Sequence, residues 1–227
     1  MANGCLLYYI TDRTQFRGDE ALCRRALLSK IADAARAGVD YIQLREKDLS
    51  GRQLETLTRE AVALVREVRE VSGCTRLLVN SRVDVALAAG ADGVHLREED
   101  VAPDNVRCVS GAAANSGRPG QSPDHFLIGV SCHKVTDVKR AESEGVDFAV
   151  LAPVFGKSGA PGKNPTGLAA LEEACRAKIP VIALGGITLK NAAACLSAGA
   201  TGVAGIRLFQ ENNIDDVVRA LRASVVK

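Results

Sequence analysis

A short motif that recurs four times constrains the fold of this chain more than any other feature of its sequence. Each copy reads Ala-Gly or Glu-Gly, then Val or Ala, then Asp or Thr, and leads directly into a short apolar run. The glycines of the four copies are Gly38, Gly90, Gly145 and Gly199, which lie 52, 55 and 54 residues apart. A step of this length is twice one strand–helix unit, so the four copies predict eight strands that alternate with helices.

Eight short apolar runs fit this expectation. None shows the polar alternation of a strand with one face in water, so each is expected to be covered on both faces, as in parallel sheets. The predicted strands are residues 6–10, 41–44, 77–79, 94–96, 126–130, 148–151, 181–184 and 203–206. The sequence therefore predicts an α/β protein with a single domain over residues 1–227, a (β/α)8 TIM barrel. An open doubly wound sheet is the alternative, and the fourfold spacing favours the barrel.

Two stretches between the predicted strands depart from this rhythm. The turn-rich residues near 110–124 predict a surface insertion. The loop at 156–163, after the sixth strand, combines three glycines with Lys157 and Lys163. Such a loop is expected to act as a lid or as a phosphate-binding loop, and a plain long connection is the alternative.

Composition argues against several classes of protein. A formal net charge of +2 argues against nucleic acid or a membrane surface as the main partner. No apolar run approaches the roughly 18 residues of a membrane span. The seven cysteines form no CxxC pair and are expected to be thiols in a reducing compartment. We therefore expect a cytoplasmic protein whose partners are small molecules, and a homo-oligomer is compatible with this expectation.

Polar side chains follow the predicted strands at the ends where α/β barrels carry their chemistry. Gln43, Arg45 and Lys47 alternate at the end of the second strand, so an extended backbone would place one amide and two cations on one face. That combination suits a polyanionic group such as pyrophosphate. Gly185 and Gly186 follow the seventh strand, where a backbone without Cβ atoms can approach a phosphate closely.

Asp100 and the three histidines are the other candidates for chemistry. Asp100 follows the fourth strand in an acidic run and is a candidate ligand for a hard cation such as Mg²⁺. His95 lies within the fourth strand and is expected to be structural, and His125 is expected to be exposed. His133 follows Ser131 at the end of the fifth strand, so it points toward the predicted mouth and is a candidate functional residue.

Together, these segments resemble those of a known family. QLREKD at 43–48, NSRVDVALAAGADGVHL at 80–96, EED at 98–100, GVSCH at 129–133 and ALGGI at 183–187 are similar to thiamine phosphate synthase. The resemblance spans nearly the whole chain and implies a (β/α)8 barrel. It also implies that the protein couples hydroxymethylpyrimidine pyrophosphate to thiazole phosphate and releases pyrophosphate, with Mg²⁺ as its cofactor. Its partners would be these phosphorylated pyrimidine and thiazole substrates.

The resemblance implies roles for individual residues. The binding positions of the family match residues of this chain one by one. The matching residues are Gln43, Arg45 and Lys47 for the pyrophosphate, Asn80 and Ser131 for the pyrimidine, Asp100 for Mg²⁺, and Gly186, Ile206 and Arg207 for the thiazole phosphate. Ile206 and Arg207 would act through their backbone. Of this set, Arg45, Lys47 and Ser131 are expected to take part in catalysis.

The sequence departs from the family pattern at two places. Ser81 stands where the synthases usually carry an Asp as a second Mg²⁺ ligand, and tautomerase-like relatives often read Asn-Ser-Arg there. The run at 157–160 replaces the usual Thr-x-Thr-Lys phosphate loop, so Lys157, Ser158 or Lys163 would have to supply that contact. A related thiazole tautomerase, with His133 as its proton shuttle, is therefore an alternative function. A non-catalytic binder of thiamine precursors is a further alternative.

Overall fold

Eight parallel strands form a closed barrel in chain order, and the last strand pairs with the first. The computed structural model describes residues 5–72, 74–114, 125–156 and 164–223. The strands are β1 (Leu6–Ile10), β2 (Tyr41–Leu44), β3 (Arg76–Asn80), β4 (Gly93–Leu96), β5 (Leu127–Cys132), β6 (Phe148–Leu151), β7 (Val181–Ala183) and β8 (Gly202–Gly205). The predicted α/β fold, a (β/α)8 TIM barrel, is therefore confirmed.

Helices cover the outer face of the barrel. They are α1 (Glu20–Arg36), α2 (Gly51–Ser72), α3 (Val83–Ala89), α4 (Pro103–Ala114), α5 (Val135–Ser143), α6 (Gly167–Ala174), α7 (Ala192–Ser197), α8 (Arg207–Gln210) and α9 (Ile214–Ala223). The Asp19 side chain caps α1 by accepting a hydrogen bond from the backbone N–H of Leu22 over 2.8 Å. Gly90 ends α3 in the left-handed conformation, with a φ of 72°. No helix in the described ranges combines the length and apolar character needed to cross a membrane.

The predicted strand boundaries hold to within two residues, and the differences that bear on the site concern the end of β5 and the extent of α4. β5 extends past its predicted end because Cys132 pairs with Leu151 of β6, so Ser131 lies inside a strand. α4 reaches Ala114, so residues 110–114 are helical, and the surface insertion near 110–124 stays a prediction. The remainder of that stretch, residues 115–124, lies outside the described residues, as do residues 157–163 of the predicted lid loop.

Aromatic rings fill the interior of the barrel below its mouth, which is the end where the strands terminate. Tyr41 and Phe148 stack with ring centroids 5.1 Å apart, and Tyr8 contacts both rings edge-on. Gly129 makes room for this packing, since a Cβ atom there would lie 2.2 Å from Cζ of Phe148. Alternate residues of a strand face the same side, so Gln43, two places after Tyr41, also faces the interior but nearer the mouth.

Candidate active site

Polar side chains at the ends of β2 and β3 meet inside the mouth of the barrel. The Nε2 amide of Gln43 donates to Oδ1 of Asn80 over 2.8 Å, and Nδ2 of Asn80 donates to Oγ of Ser81 over 2.9 Å. Gln43 is buried, and Asn80 and Ser81 are partly exposed. The structure thus brings together two residues that the sequence assigned to the pyrophosphate and the pyrimidine.

Arg45 is a partly buried cation just past the end of β2. Its backbone N–H donates to Oγ1 of Thr11 over 3.0 Å, which fixes the chain at this point. Burial lowers the pKa of Arg45, although the charge of Asp12 acts in the opposite direction. None of the ion pairs among the described residues includes Arg45 or Lys47. Lys47 is exposed and lies in a turn, so the strand-like alternation expected for this segment ends with β2.

A buried ion-pair network, which the sequence did not reveal, holds the segment that carries Arg45 and Lys47. One carboxylate oxygen of Glu46 accepts from Oγ1 of Thr11 over 2.5 Å, and the other accepts from the backbone N–H of Arg13 over 2.9 Å. The guanidinium of Arg13 donates to both carboxylate oxygens of Asp48, over 2.6 and 2.9 Å. The side chains of Arg13 and Glu46 are only 5% and 1% exposed. The network therefore ties the end of β2 to the end of β1.

Asp100, the predicted Mg²⁺ ligand, is already hydrogen-bonded to Arg97. The backbone N–H of Arg97 donates to Oδ2 of Asp100 over 2.7 Å, and its guanidinium Nη2 donates to Oδ1 over 2.9 Å. Burial raises the pKa of the Asp100 carboxyl, but hydrogen bonds from Arg97 and Ser81 outweigh this effect and lower the pKa below its ordinary value. No motif in the sequence indicated that Arg97 would contact this carboxylate.

The donor groups around Asp100 fit a Mg²⁺ ion with one charged protein ligand. Asp100 offers a carboxylate, and Ser81 offers a neutral hydroxyl that already contacts it. In the part of the chain that the structure describes, no group of three or more His, Cys, Asp or Glu residues could hold a metal ion. A Mg²⁺ ion at this place would therefore need further oxygen ligands from water or from a substrate. A cavity of about 150 Å³ borders Asp100, but Pro103 of α4 and Asp137 of α5 also line it, so it lies toward these two outer helices and is not the mouth of the barrel.

The histidines lie where the sequence predicted them. His95 is buried inside the barrel, where its ring nitrogens contact Tyr8 and Ser131. His125 is 63% exposed. His133 lies near the mouth, with its Nδ1 atom 2.7 Å from the backbone carbonyl oxygen of Ala152. That carbonyl can only accept, so Nδ1 of His133 donates to it, and in the tautomer with this one proton Nε2 is a proton acceptor.

The loop after β7 packs closely against the loop after β6, and β8 leads directly into a helix. Gly185 and Gly186 have positive φ values of 99° and 64°. A Cβ atom on Gly185 would lie 2.6 Å from Cα of Pro153, so this glycine allows the loops after β6 and β7 to touch. α8 begins at Arg207, with Ile206 as its N-terminal cap residue, directly after β8. Lys157 and Ser158, the candidates in the loop after β6, lie outside the described residues.

Known proteins are similar to this chain in both sequence and fold. The family model described as thiamine monophosphate synthase matches residues 7–209. A putative thiamine-phosphate synthase 2 from Aquifex aeolicus is 40% identical over 90% of this chain and 97% of its own length. A thiamine-phosphate synthase from Methanoculleus marisnigri is 38% identical over 95% of this chain and 93% of its own length.

A solved structure extends the similarity to three dimensions. The thiamine phosphate pyrophosphorylase from Pyrococcus furiosus is 28% identical and superposes with a TM-score of 0.77, covering 98% of this chain and 96% of that chain. The family match and the two relatives thus agree with the closed barrel of the structure. The chain belongs to the thiamine monophosphate synthase family.

Proposed function

We propose that this protein is a thiamine phosphate synthase, which couples hydroxymethylpyrimidine pyrophosphate to thiazole phosphate and releases pyrophosphate. The observation that supports this most directly is Arg45, a partly buried cation that no carboxylate of the described residues pairs with. A cation withdrawn from water is unfavourable unless an anion binds it. Pyrophosphate, which accepts several hydrogen bonds from a guanidinium, is an anion of the right kind.

In this reaction the chain chiefly positions two substrates and neutralises charge. Arg45 and Lys47 stabilise the pyrophosphate as the C–O bond to the pyrimidine methylene breaks. The electron-rich aminopyrimidine carries the positive charge left on that methylene. The lone pair of the thiazole nitrogen then forms the new C–N bond, so no proton has to be transferred in this step.

The remaining site residues hold the two substrates in place. Gln43 contacts the pyrophosphate, and Asn80 and Ser131 contact the pyrimidine. The thiazole phosphate lies against Gly186 and the backbone N–H groups of Ile206 and Arg207, because unpaired N–H groups at the start of a helix favour an anion. Gly185 allows the backbone to come close, and Lys157, Ser158 or Lys163 is the candidate for a further contact to the phosphate.

Asp100 is the proposed protein ligand of Mg²⁺, which would complete its coordination with pyrophosphate oxygens. When bound, the ion would neutralise negative charge on the leaving group. Arg97 competes for the same carboxylate, so its guanidinium has to move away from Asp100. Its side chain is 61% exposed, and that exposure allows the movement.

A thiazole tautomerase is a second candidate because of two observations at the mouth. Ser81 replaces a carboxylate that the synthase pattern carries, and Nε2 of His133 is available to accept a proton. The two functions respond differently to substitution. Asp100→Ala is expected to nearly abolish synthase activity, whereas His133→Ala is expected to be the damaging change for a tautomerase. Both variants are assayed for both reactions across a Mg²⁺ titration.

Formation of thiamine phosphate from the two phosphorylated precursors and Mg²⁺ tests the proposed function. Wild-type protein is expected to form it, and Arg45→Ala is expected to lose about 10²- to 10³-fold in rate because one charged contact to the leaving group is removed. Lys47→Ala should also slow the reaction, and Arg36→Ala on α1 should not. Full activity of a folded Arg45→Ala protein would contradict the pyrophosphate assignment. An inactive wild type would contradict the function itself.

A further inference from the structure

Three side chains form a hydrogen-bonded line from the interior of the barrel to its mouth. The hydroxyl of Tyr8 lies 3.1 Å from Nδ1 of His95, and Nε2 of His95 lies 2.9 Å from Oγ of Ser131. Tyr8 is fully buried and His95 is 2% exposed, whereas Ser131 is partly exposed. Within the described ranges, His95 is the only hydrogen-bond partner of the Tyr8 hydroxyl. The proposed synthase mechanism uses only Ser131 of the three.

The position of one proton on His95 decides which group donates and which accepts in both hydrogen bonds, because a neutral imidazole is protonated on one nitrogen only. If Nδ1 of His95 is protonated, it donates to Tyr8, and the buried Tyr8 O–H has no acceptor among the described residues. An unpaired buried donor is unfavourable, because it has lost its hydrogen bonds to water and gained none in the protein. If Nε2 is protonated, Tyr8 donates to Nδ1 and Nε2 donates to Ser131, so both buried side chains are paired and only the O–H of the partly exposed Ser131 is left over. The second arrangement is therefore the favoured one.

Burial also keeps the two inner groups of the line uncharged. Burial lowers the pKa of His95 to about 3, although the charge of Asp100 acts in the opposite direction. Burial raises the pKa of Tyr8 well above its ordinary value. Near neutral pH the line therefore contains a neutral imidazole and a neutral phenol, and only the choice between the two tautomers remains.

We infer that Tyr8 and His95 are positioning residues that fix Ser131 as a hydrogen-bond donor toward the barrel mouth. Oγ of Ser131 accepts a hydrogen bond from His95, so its own O–H is directed to an acceptor atom on the bound substrate. This step rests on the proposed function, in which Ser131 contacts the aminopyrimidine, and it assigns a ring nitrogen as the acceptor. A ligand with an N–H at the same point would leave two donors facing each other, so the line selects an unprotonated pyrimidine ring.

The tautomer of His95 can be observed in the wild-type protein by long-range ¹H–¹⁵N correlation NMR. The chain has three histidines, so His125→Gln and His133→Gln variants identify the His95 signals by exclusion. The expected spectrum at pH 7 shows one neutral ring protonated at Nε2, with and without hydroxymethylpyrimidine pyrophosphate. A ring protonated at Nδ1 would overturn the inference, whether or not the protein proves to be a synthase.

Tyr8→Phe removes only the hydroxyl group that sets this tautomer. We expect it to mix the two tautomers of His95 and to weaken binding of hydroxymethylpyrimidine pyrophosphate about threefold to tenfold, the effect of one hydrogen bond. The KM for thiazole phosphate should not change. Tyr9→Phe is the matched control, since Tyr9 is equally buried in β1 but donates to Gln210 over 3.0 Å, outside this line. It should leave both the His95 tautomer and pyrimidine binding unchanged.

A double-mutant cycle separates an effect transmitted through Ser131 from a general loosening of the barrel. Tyr8→Phe is expected to weaken pyrimidine binding in the wild-type background and to have no further effect in the Ser131→Ala background. An equal loss in both backgrounds would overturn the role of Ser131. If the wild type binds no aminopyrimidine pyrophosphate, the proposed function fails, and the NMR measurement alone decides the direction of the hydrogen-bonded line.

Discussion

Ser81 combines an unusual backbone conformation with a position between two parts of the proposed site. Its φ of 63° is the only positive value among the non-glycine residues that the structure describes. Ser81 lies between β3 and α3, and its backbone N–H donates to the carbonyl oxygen of His95 in β4 over 2.9 Å. Its side chain contacts both Asn80 and Asp100. A change at this residue therefore reaches the pyrimidine contact and the proposed Mg²⁺ ligand together.

We predict that Ser81→Asp lowers the Mg²⁺ concentration needed for half-maximal synthase rate. A second carboxylate beside Asp100 adds a charged oxygen ligand for the cation, and an effect of about tenfold corresponds to ~1.4 kcal/mol. The fold should tolerate the change, because Asp adopts the left-handed conformation more readily than Ser. A Mg²⁺ titration of the initial rate measures the effect.

Ser81→Asn is the control for this prediction. Asn has nearly the size of Asp and shares its tolerance of the left-handed conformation, but it carries no charge. If Ser81→Asn lowers the Mg²⁺ requirement as much as Ser81→Asp does, the effect comes from the backbone and the charge argument is wrong.

At the scale of strands and helices, the repeat and the apolar runs sufficed to predict the barrel. The differences arise where tertiary contacts outweigh local preference. Pairing with β6 extends β5 through Ser131 and Cys132, neither of which marks a strand on its own. α4 continues through Ser110 and Gly111, although glycine disfavours a helix interior by about 1 kcal/mol, and Val106 of α4 is buried against the core. These tertiary contacts cannot be predicted from the local amino-acid composition.

The Arg13–Glu46–Asp48 network is the feature of β1 and β2 on which the position of Arg45 depends. We predict that Glu46→Ala lowers the free energy of unfolding by about 1–3 kcal/mol, because the backbone N–H of the buried Arg13 loses its acceptor while the guanidinium keeps its ion pair with Asp48. Thr11 then loses the acceptor of its hydroxyl, so Arg45 should also be held less firmly and the synthase rate should fall. Chemical denaturation and the synthase assay measure the two effects.

Asp33→Ala provides the comparison for this prediction. Asp33 pairs with Arg36 on the surface of α1, where both side chains are more than half exposed. Removal of such a pair changes stability by only about 0–1 kcal/mol. A Glu46→Ala protein that is no less stable than Asp33→Ala would show that the buried network does not hold the end of β2.

At the scale of the whole molecule, the barrel brings together residues that lie far apart in the sequence. Tyr8 and His95 are separated by 87 positions, and His95 and Ser131 by 36. The residue types at the strand ends predicted a phosphate-handling site, because the active sites of such barrels lie at the C-terminal ends of the strands. Which side chains pair with one another depends on rotamers and strand register, so the Arg97–Asp100 pair could not be predicted from the motifs.

Burial of His95 inside the barrel also links the stability of the whole protein to pH. Its pKa falls from an ordinary value of 6.5 to about 3 in the folded state because burial disfavours the charged ring. Below about pH 6.5 the unfolded chain therefore binds a proton at His95 that the folded protein does not. The part of the free energy of unfolding that depends on a neutral His95 is therefore fully present above pH 6.5 and is lost as the pH falls toward 3.

We predict that His95 alone lowers the free energy of unfolding by about 2 kcal/mol between pH 6.5 and pH 5, a range above the ordinary pKa of Asp side chains. Chemical denaturation at several pH values measures this slope. His95→Gln, which can still hydrogen-bond to Tyr8 and Ser131, should remove that share of the slope, and His125→Gln on the surface should keep it. If the wild-type slope survives in His95→Gln, or if NMR shows the ring of His95 titrating near pH 6.5, the imidazole is not held neutral by burial.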